Sequence, residues 1–529
     1  AYLMLYCGYA AQMNYGLADK HGGSSASTST LAGGMSRYFG FNTNAWKYVT
    51  RSDYSISEWD ELIYNELACG RPIIYSGSYR GGHAFICDGY DGAGMYHFNW
   101  GWGGSYNGFF KLQATNPNGE SDITDMGYIA DNYCIIGLQP NSWPDIDDPN
   151  ADDVWDVPEI EGIVATVSNI TVEGVTVTMR LSNYNEDTYG FGFGIGELNG
   201  DGTITPIDTN KEYYKNTELM KGYGYPGVSF DFSSYELSDG THTLVPISIV
   251  NGETEWRRCK PADIYFEVKV SGGEKTIIAH PVENLQINEF DLASGGTPST
   301  SQGVKLSITN AGDNIEKDLY LYVGTADDKG KYARSKTVRI ASGNTKEYRF
   351  SISALEAGNY TLRLLDRYEG DVVLAEKEIT IAQDLKATNF EITGHKYANK
   401  ILRVDVNVEN NAGDYAVPLY LFASTSSTKK FYYAAGSAIE RGSSEVVTFY
   451  FQPNQIGTWN IWIATDGNGD NVIGTTTVEI EEAHPAKLDI DFQVLNASGG
   501  TVRAENYVVR TDITNSGSYA YDDVIEAIL

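Results

Sequence analysis

Between Gly81 and Gly104 the sequence reads GGHAFICDGYDGAGMYHFNWGWGG. An imidazole (His83), a carboxamide (Asn99) and two indoles (Trp100, Trp102) stand there among glycines, which allow a backbone or a substrate to come close. The chemistry such a set offers is proton transfer. A histidine serves as a general base near neutral pH when a partner on its second ring nitrogen fixes tautomer and orientation. A carboxamide oxygen can be that partner. Unlike a carboxylate it adds no negative charge, which suits an imidazolium resting beside a thiolate. An indole next to Asn99 would shield the hydrogen bond from water and strengthen it.

Two strands and a turn are needed to position these groups. His83, followed by alternating Phe85 and Cys87, opens a half-buried strand, and Asp91-Gly92 turns the chain. Met95 to Trp102 then places His97, Asn99 and Gly101 on one face and Phe98, Trp100 and Trp102 on the other. Antiparallel pairing is expected to bring Asn99 within hydrogen-bonding reach of His83. Further strands are expected at 73–76, 107–112 and 132–138, with Tyr9 to Tyr15 extended. Helices are expected at Thr28 to Phe39 and Ser57 to Cys69, the second with Ser57 as N-cap, Asp60 three residues on and a Gly70-Arg71-Pro72 stop.

GGHAFICDGY followed by HFNWGWGG resembles the histidine and asparagine segments of the streptopain family of papain-like cysteine peptidases. The resemblance implies His83 as catalytic base, Asn99 as its orienter, Trp100 as the shielding indole and Trp102 as a wall of the leaving-group side. Ser25, Ala26 and Gly82 would line the substrate cleft with Trp102, Ser25 and Ala26 belonging to the family's acyl-side loop. Leu3-Met4, Gly8, Met13-Asn14-Tyr15-Gly16 and the run from Gly22 to Ser27 resemble the family segment well after its nucleophile. By this resemblance the nucleophile lies before Ala1, and the chain alone is expected to be inactive on protein substrates. No cofactor is implied.

Net charge of −32 and pI near 4.5 argue against nucleic acid or an anionic membrane surface as partner, since both require clustered Lys and Arg. No apolar run reaches membrane-spanning length, so no membrane span is expected, and a secreted or cell-surface bacterial protein fits the balance. The five cysteines, at 7, 69, 87, 134 and 259, show no metal-ligand spacing, and their odd number argues against a disulfide framework. Cys87 and Cys134 read as small buried hydrophobes. Cys7, in YCGYAAQ, has the look of a nucleophile before a helix, but Gly8 is expected to end a helix there rather than continue one.

With 529 residues the chain holds several domains. Residues 1–141 are expected to be the antiparallel-sheet half of an α+β papain-like domain. The proline- and aspartate-rich stretch at 142–161 reads as an acidic linker. Beyond it VTVTMRLSN, VKLSITNAG, VDVNVENNAG and YVVRTDITNSG recur, each an alternating strand ending at Asn or Gly. With Phe290, Phe390 and Phe492 roughly one hundred residues apart, they imply all-β immunoglobulin-like sandwiches at 162–283, 284–383 and 384–482, and the start of another at 483–529. Phe290 and Phe390 are expected at equivalent buried positions. Asp466-Gly-Asn-Gly-Asp470 has the opening of a calcium loop but Thr477 where a bidentate Glu belongs, and Asn199-Gly-Asp-Gly-Thr203 reads as a hairpin turn. The function expected is hydrolysis of peptide bonds in protein or peptide substrates, with host or matrix proteins as possible partners of the sandwiches. The alternative is a surface adhesion or binding array whose papain-like part is inactive. No G-x-S-x-G elbow supports a serine hydrolase.

Overall fold

The His83 strand lies inside a six-stranded antiparallel sheet. Its members are β1 (Lys47–Thr50), β2 (Ile73–Ser78), β3 (Gly82–Tyr90), β4 (Tyr96–Asn99), β5 (Gly108–Phe110) and β6 (Ala130–Ile136), in the spatial order β1-β6-β2-β3-β4-β5. The structure is a computed structural model and describes residues 2–16, 24–42, 45–79, 81–113, 115–117, 122–143, 153, 155–211, 217–370, 372–482, 487–495 and 509–517. Residues 144–152 and 154 of the acidic linker, and Gly22 and Gly23 of the glycine-rich run, lie outside the described residues. Two compact units are present: Ala1–Arg51 with Ile56–Gln139 and Gln383–Leu529, and Ser52–Ser55 with Pro140–Ala382.

Alternation along β2 and β3 gives the sheet two different faces. On one, Ile74, Ile86 and Ile135 pack with Ala32 and Met35 of helix α2 (Thr28–Phe39), which follows helix α1 (Tyr2–Ala10). The other face is aromatic. Trp59 of helix α3 (Ile56–Ala68) is fully buried there and donates its indole N–H to the Tyr75 hydroxyl at 3.2 Å, which in turn donates to the Leu112 carbonyl at 3.0 Å.

Several local expectations are corrected. Gly8 does not end α1, which runs on to Ala10; a Cβ at Gly8 would lie 1.8 Å from the Tyr15 hydroxyl, so the glycine is there for close approach. Tyr9 and Ala10 are therefore helical rather than extended. Helix α3 begins at Ile56, which places Ser57 within its first turn. The Ile56 N–H is taken at 3.0 Å by the carboxylate of Asp414, remote in sequence, and an anion at a helix N-terminus is favourable. The strand expected over 95–102 stops at Asn99, because Gly101 takes a left-handed φ of 77°. Strand β1 carried no sequence signal.

Residues 166–480 form three two-sheet sandwiches, each closed around one apolar core. In the first, a sheet of Gly224–Asp231, Thr176–Ser182 and Thr166–Glu173 faces a larger one centred on Tyr189–Leu198 and Gly240–Val250. The second sets three strands (Leu285–Leu292, Gln302–Asn310, Thr345–Ile352) against four (Lys331–Ile340, Ile315–Gly324, Gly358–Leu365, Val373–Ile381). The third repeats that order with Leu385–Thr393, Leu402–Asn410 and Ser444–Phe451 facing Phe431–Ala435, Leu419–Ser424, Gly457–Ala464 and Val472–Ile480. Phe290 pairs regularly with Leu306 and is buried, whereas Phe390 falls in a β-bulge and is half-buried against its core. Phe492, on the isolated hairpin Leu488–Val494/Val509–Asn515, is 64% exposed.

The recurring Asn of the repeats has one structural role. Asn410 is buried; its amide donates to the carbonyls of Gly413 (2.9 Å) and Ile439 (2.8 Å), and its oxygen accepts the Ala412 N–H (3.1 Å). Asn310 does the same with Asp313, Ile340 and Gly312, and Asn183 with Asp187, Leu219 and Asn185. Each ties the end of a core strand to the chain across the sandwich and adds a hydrogen bond to the carbonyls there. Asp466 plays a smaller part of this kind: its carboxylate accepts the N–H groups of Asn468, Asp470 and Asn471 and so closes its own turn. Replacing Asn410 by Ala strands the Gly413 carbonyl and the Ala412 N–H, while the Ile439 carbonyl keeps the Tyr415 N–H, and is expected to destabilise the third sandwich by about 2 kcal/mol in denaturant unfolding, against about 0.5 kcal/mol or less for an exposed residue such as Val446→Thr.

Candidate active site

His83 sits at the start of β3 on the aromatic face, half-buried among rings. Trp102 stacks on it with centroids 5.2 Å apart and planes 23° apart, and Tyr128 lies 5.1 Å away and Phe85 5.9 Å away. Its Nε2 lies 2.9 Å from the main-chain oxygen of Trp100. A carbonyl only accepts, so Nε2 carries the proton and the neutral ring keeps its lone pair on Nδ1. Among the described residues Nδ1 has no hydrogen-bond partner, which leaves it as the nitrogen able to exchange a proton with a reacting group.

The partner of His83 is thus a different group from the one expected. Asn99 pairs with Ile86 across the ladder, not with His83, and period-two alternation puts its side chain on the opposite face. Its carboxamide oxygen accepts the Gly101 N–H at 3.0 Å. That N–H belongs to the same planar, trans peptide unit as the Trp100 carbonyl, so holding one end of the unit aims the other. Two further bonds fix this residue: the Trp100 N–H donates to Asn107 Oδ1 at 3.2 Å, and its indole N–H donates to the Tyr106 carbonyl at 2.9 Å. The Trp100 ring is fully buried against Phe85 (4.4 Å) and Trp102 (5.9 Å), on the same side as the carbonyl–imidazole bond.

Gly82 is exposed, and a Cβ there would meet nothing within 4 Å, so open space lies beside Gly82 itself. Ser25 and Ala26 are exposed just before α2; the main chain of Ser25 bridges Asn14 with N···O distances of 2.8 and 3.0 Å. The contacts of the His83 ring include neither of them.

Tyr128, Asn107 and Tyr106 were missed by sequence reasoning. Asn107 had a usable signal, a carboxamide just after Gly103-Gly104 in the same segment, whereas Tyr128 stands far along the chain in an unremarkable loop. Burial, with Asp125 nearby, raises its phenol above the ordinary value and keeps it neutral. Three cysteines are poor nucleophiles. Burial pushes the thiols of Cys87 and Cys259 up to about 12 and that of Cys134 well above its usual value. Cys69 is exposed at the end of α3, and Cys7 is half-exposed on α1.

A strand-borne imidazole oriented by an acceptor and walled by tryptophans is an arrangement suited to a thiol peptidase. Residues 1–110 match the Peptidase C10 family. The chain is 40% identical over 140 residues to streptopain of Streptococcus pyogenes, covering 26% of this chain and 34% of that protein. It is 30% identical over 220 residues to the thiol protease/hemagglutinin PrtT of Porphyromonas gingivalis, covering 40% of this chain and 24% of the relative. The chain therefore spans between a quarter and a third, 24% to 34%, of the relatives it matches.

The Tyr128 wall is tied closely to β2. A Cβ at Gly77 would come within 2.4 Å of the Tyr128 carbonyl and 2.6 Å of Asn132 Nδ2, whereas one at Gly81 would meet nothing within 4 Å. Gly77→Ala is expected to lower stability by about 2 kcal/mol and to move Tyr128, while Gly81→Ala stays within about 0.5 kcal/mol; thermal unfolding followed by tryptophan fluorescence distinguishes them.

Proposed function

We propose that residues 1–139 are the sheet-bearing half of a papain-like α+β catalytic domain, part of a secreted or surface-bound bacterial cysteine endopeptidase whose further domains are immunoglobulin-like sandwiches. The observation that carries this reading is the His83 Nε2–H bond to the Trp100 carbonyl, which leaves Nδ1 without a hydrogen-bond partner among the described residues. In the proposed reaction a thiolate attacks the peptide carbonyl, and imidazolium Nδ1–H gives its proton to the leaving amine. The neutral Nδ1 then takes a proton from the water that attacks the thioester, releasing the acid and restoring the thiolate–imidazolium pair. By the streptopain resemblance, in which the first residues of this chain correspond to a segment after the nucleophile, the reading takes the sulfur from a residue outside these 529.

In this mechanism Trp100 orients the imidazole through its carbonyl and screens that bond with its indole. Asn99 is a positioning residue that acts through the Gly101 N–H. Trp102 and Gly82 border the leaving-group side, and Ser25 and Ala26 line the acyl side. The word hemagglutinin in the name of the PrtT relative favours a second reading, in which the sandwiches bind host or matrix proteins and the peptidase region is inactive.

Labelling of the protein in its full natural length with a thiol-directed peptide inhibitor separates the two. The peptidase reading expects labelling and turnover, and a loss of about three orders of magnitude in turnover for His83→Ala. Labelling indifferent to His83→Ala, or activity of the 529-residue chain that disappears in Cys7→Ala, would contradict it. Asn99→Ala is expected to lower turnover about tenfold with KM little changed, and Asn99→Asp, which keeps an acceptor for the Gly101 N–H, less.

A further inference from the structure

The loop that carries Tyr128 has a second attachment, to the third sandwich, which belongs to the same compact unit. Asn116 donates its amide to the Tyr433 hydroxyl at 2.9 Å and to the Asp125 carbonyl at 3.2 Å, so one side chain joins both ends of the loop to the sandwich. Met126 and Ile129, flanking Tyr128, are 3% and 4% exposed and share the buried cluster of Leu402, Val447 and Phe449. Lys111 pairs with Glu445, whose other oxygen accepts the Ala438 N–H, and Asp414 caps α3. Burial raises the Tyr433 phenol to about 12, so it stays neutral and presents its oxygen to Asn116.

On its inner side the same loop is fixed as firmly. The Tyr128 N–H donates to the Thr115 carbonyl at 2.9 Å, and its carbonyl accepts from Thr115 Oγ1 at 2.7 Å and Asn132 Nδ2 at 3.1 Å. Gly127 takes φ of 69°, and a Cβ there would lie 2.5 Å from Asn116 Cα. The loop therefore passes displacement on rather than absorbing it: Tyr128 faces the His83 ring while its two near neighbours are embedded in the sandwich core.

We propose that the third sandwich is an intramolecular brace of the active site, setting the position of the Tyr128 ring beside His83 through Tyr433, Met126 and Ile129. Tyr433 is then a positioning residue far along the chain from the imidazole it serves, and 317 residues from its hydrogen-bond partner Asn116. A ligand or truncation that loosens this sandwich would be felt at His83. The functional consequence rests on reading His83 as the catalytic imidazole; the brace itself does not.

Hydrogen exchange of residues 115–129 and the His83 Hε1 resonance, whose shift reports the ring currents of Tyr128 and Trp102, test the proposal in the full chain. Tyr433→Ala is expected to speed exchange at 122–129 by about tenfold or more and to move the His83 resonance, with Tyr433→Phe intermediate. Should Tyr433→Ala unfold the sandwich, Met126→Ser loosens the contact from the loop side and is expected to give the same two changes. Exchange within about twofold of the parent in folded variants, or a loosened loop with an unmoved His83 resonance, would overturn the brace. Neither readout requires turnover, so failure here is distinct from failure of the peptidase reading, which the inhibitor labelling decides.

Discussion

A single hydrogen bond, from His83 Nε2–H to the Trp100 carbonyl, organises the candidate site. A main-chain acceptor has no rotamer of its own, so its aim depends on everything that holds the peptide plane. That demand accounts for the composition of the NWGWGG stretch. Gly101 supplies the left-handed φ of 77° that turns the chain out of the strand just after that carbonyl, Asn99 holds the N–H on the other end of the unit, and Asn107 holds the N–H of Trp100 itself. Donation from the Gly101 N–H also polarises the peptide and makes its carbonyl a better acceptor. The buried indole keeps competing water off that side, so the tautomer is set by geometry.

The sandwiches answer a different constraint. A two-sheet core leaves polar backbone at the strand ends where the chain must cross, and a buried Asn at 183, 310 and 410 satisfies it each time with the same three bonds. The hairpin at Leu488–Asn515 begins the same motif, with Asn515 Oδ1 accepting the Gly517 N–H at 3.0 Å. A repeated, closed core is what makes the third sandwich useful as a support for the loop that buries Met126 and Ile129 in it.

The histidine, both indoles and the sheet that bears them were legible because they lie in one segment with period-two alternation. The acceptor was not, because a carbonyl belongs to every residue and no letter marks the one that matters. Asn99 drew the role to itself since its side chain is visible in sequence; only the register Ile86↔Asn99 shows that it points away from the imidazole. The repeats were legible from the Asn that closes each strand, but burial of Phe390 was overestimated because a bulge has no sequence mark of its own. Contacts such as Ile56–Asp414 and Asn116–Tyr433, 358 and 317 residues apart, lie beyond any local pattern.

The central claim, a backbone-oriented imidazole with Nδ1 left for chemistry, is tested most directly by the ring-nitrogen NMR shifts of His83 in histidine-labelled protein above its titration range. The account predicts a protonated Nε2 with a pyrrole-type shift, coupled to a slowly exchanging hydrogen, and a pyridine-type Nδ1. A ring protonated on Nδ1, or one averaging freely between tautomers, would contradict it.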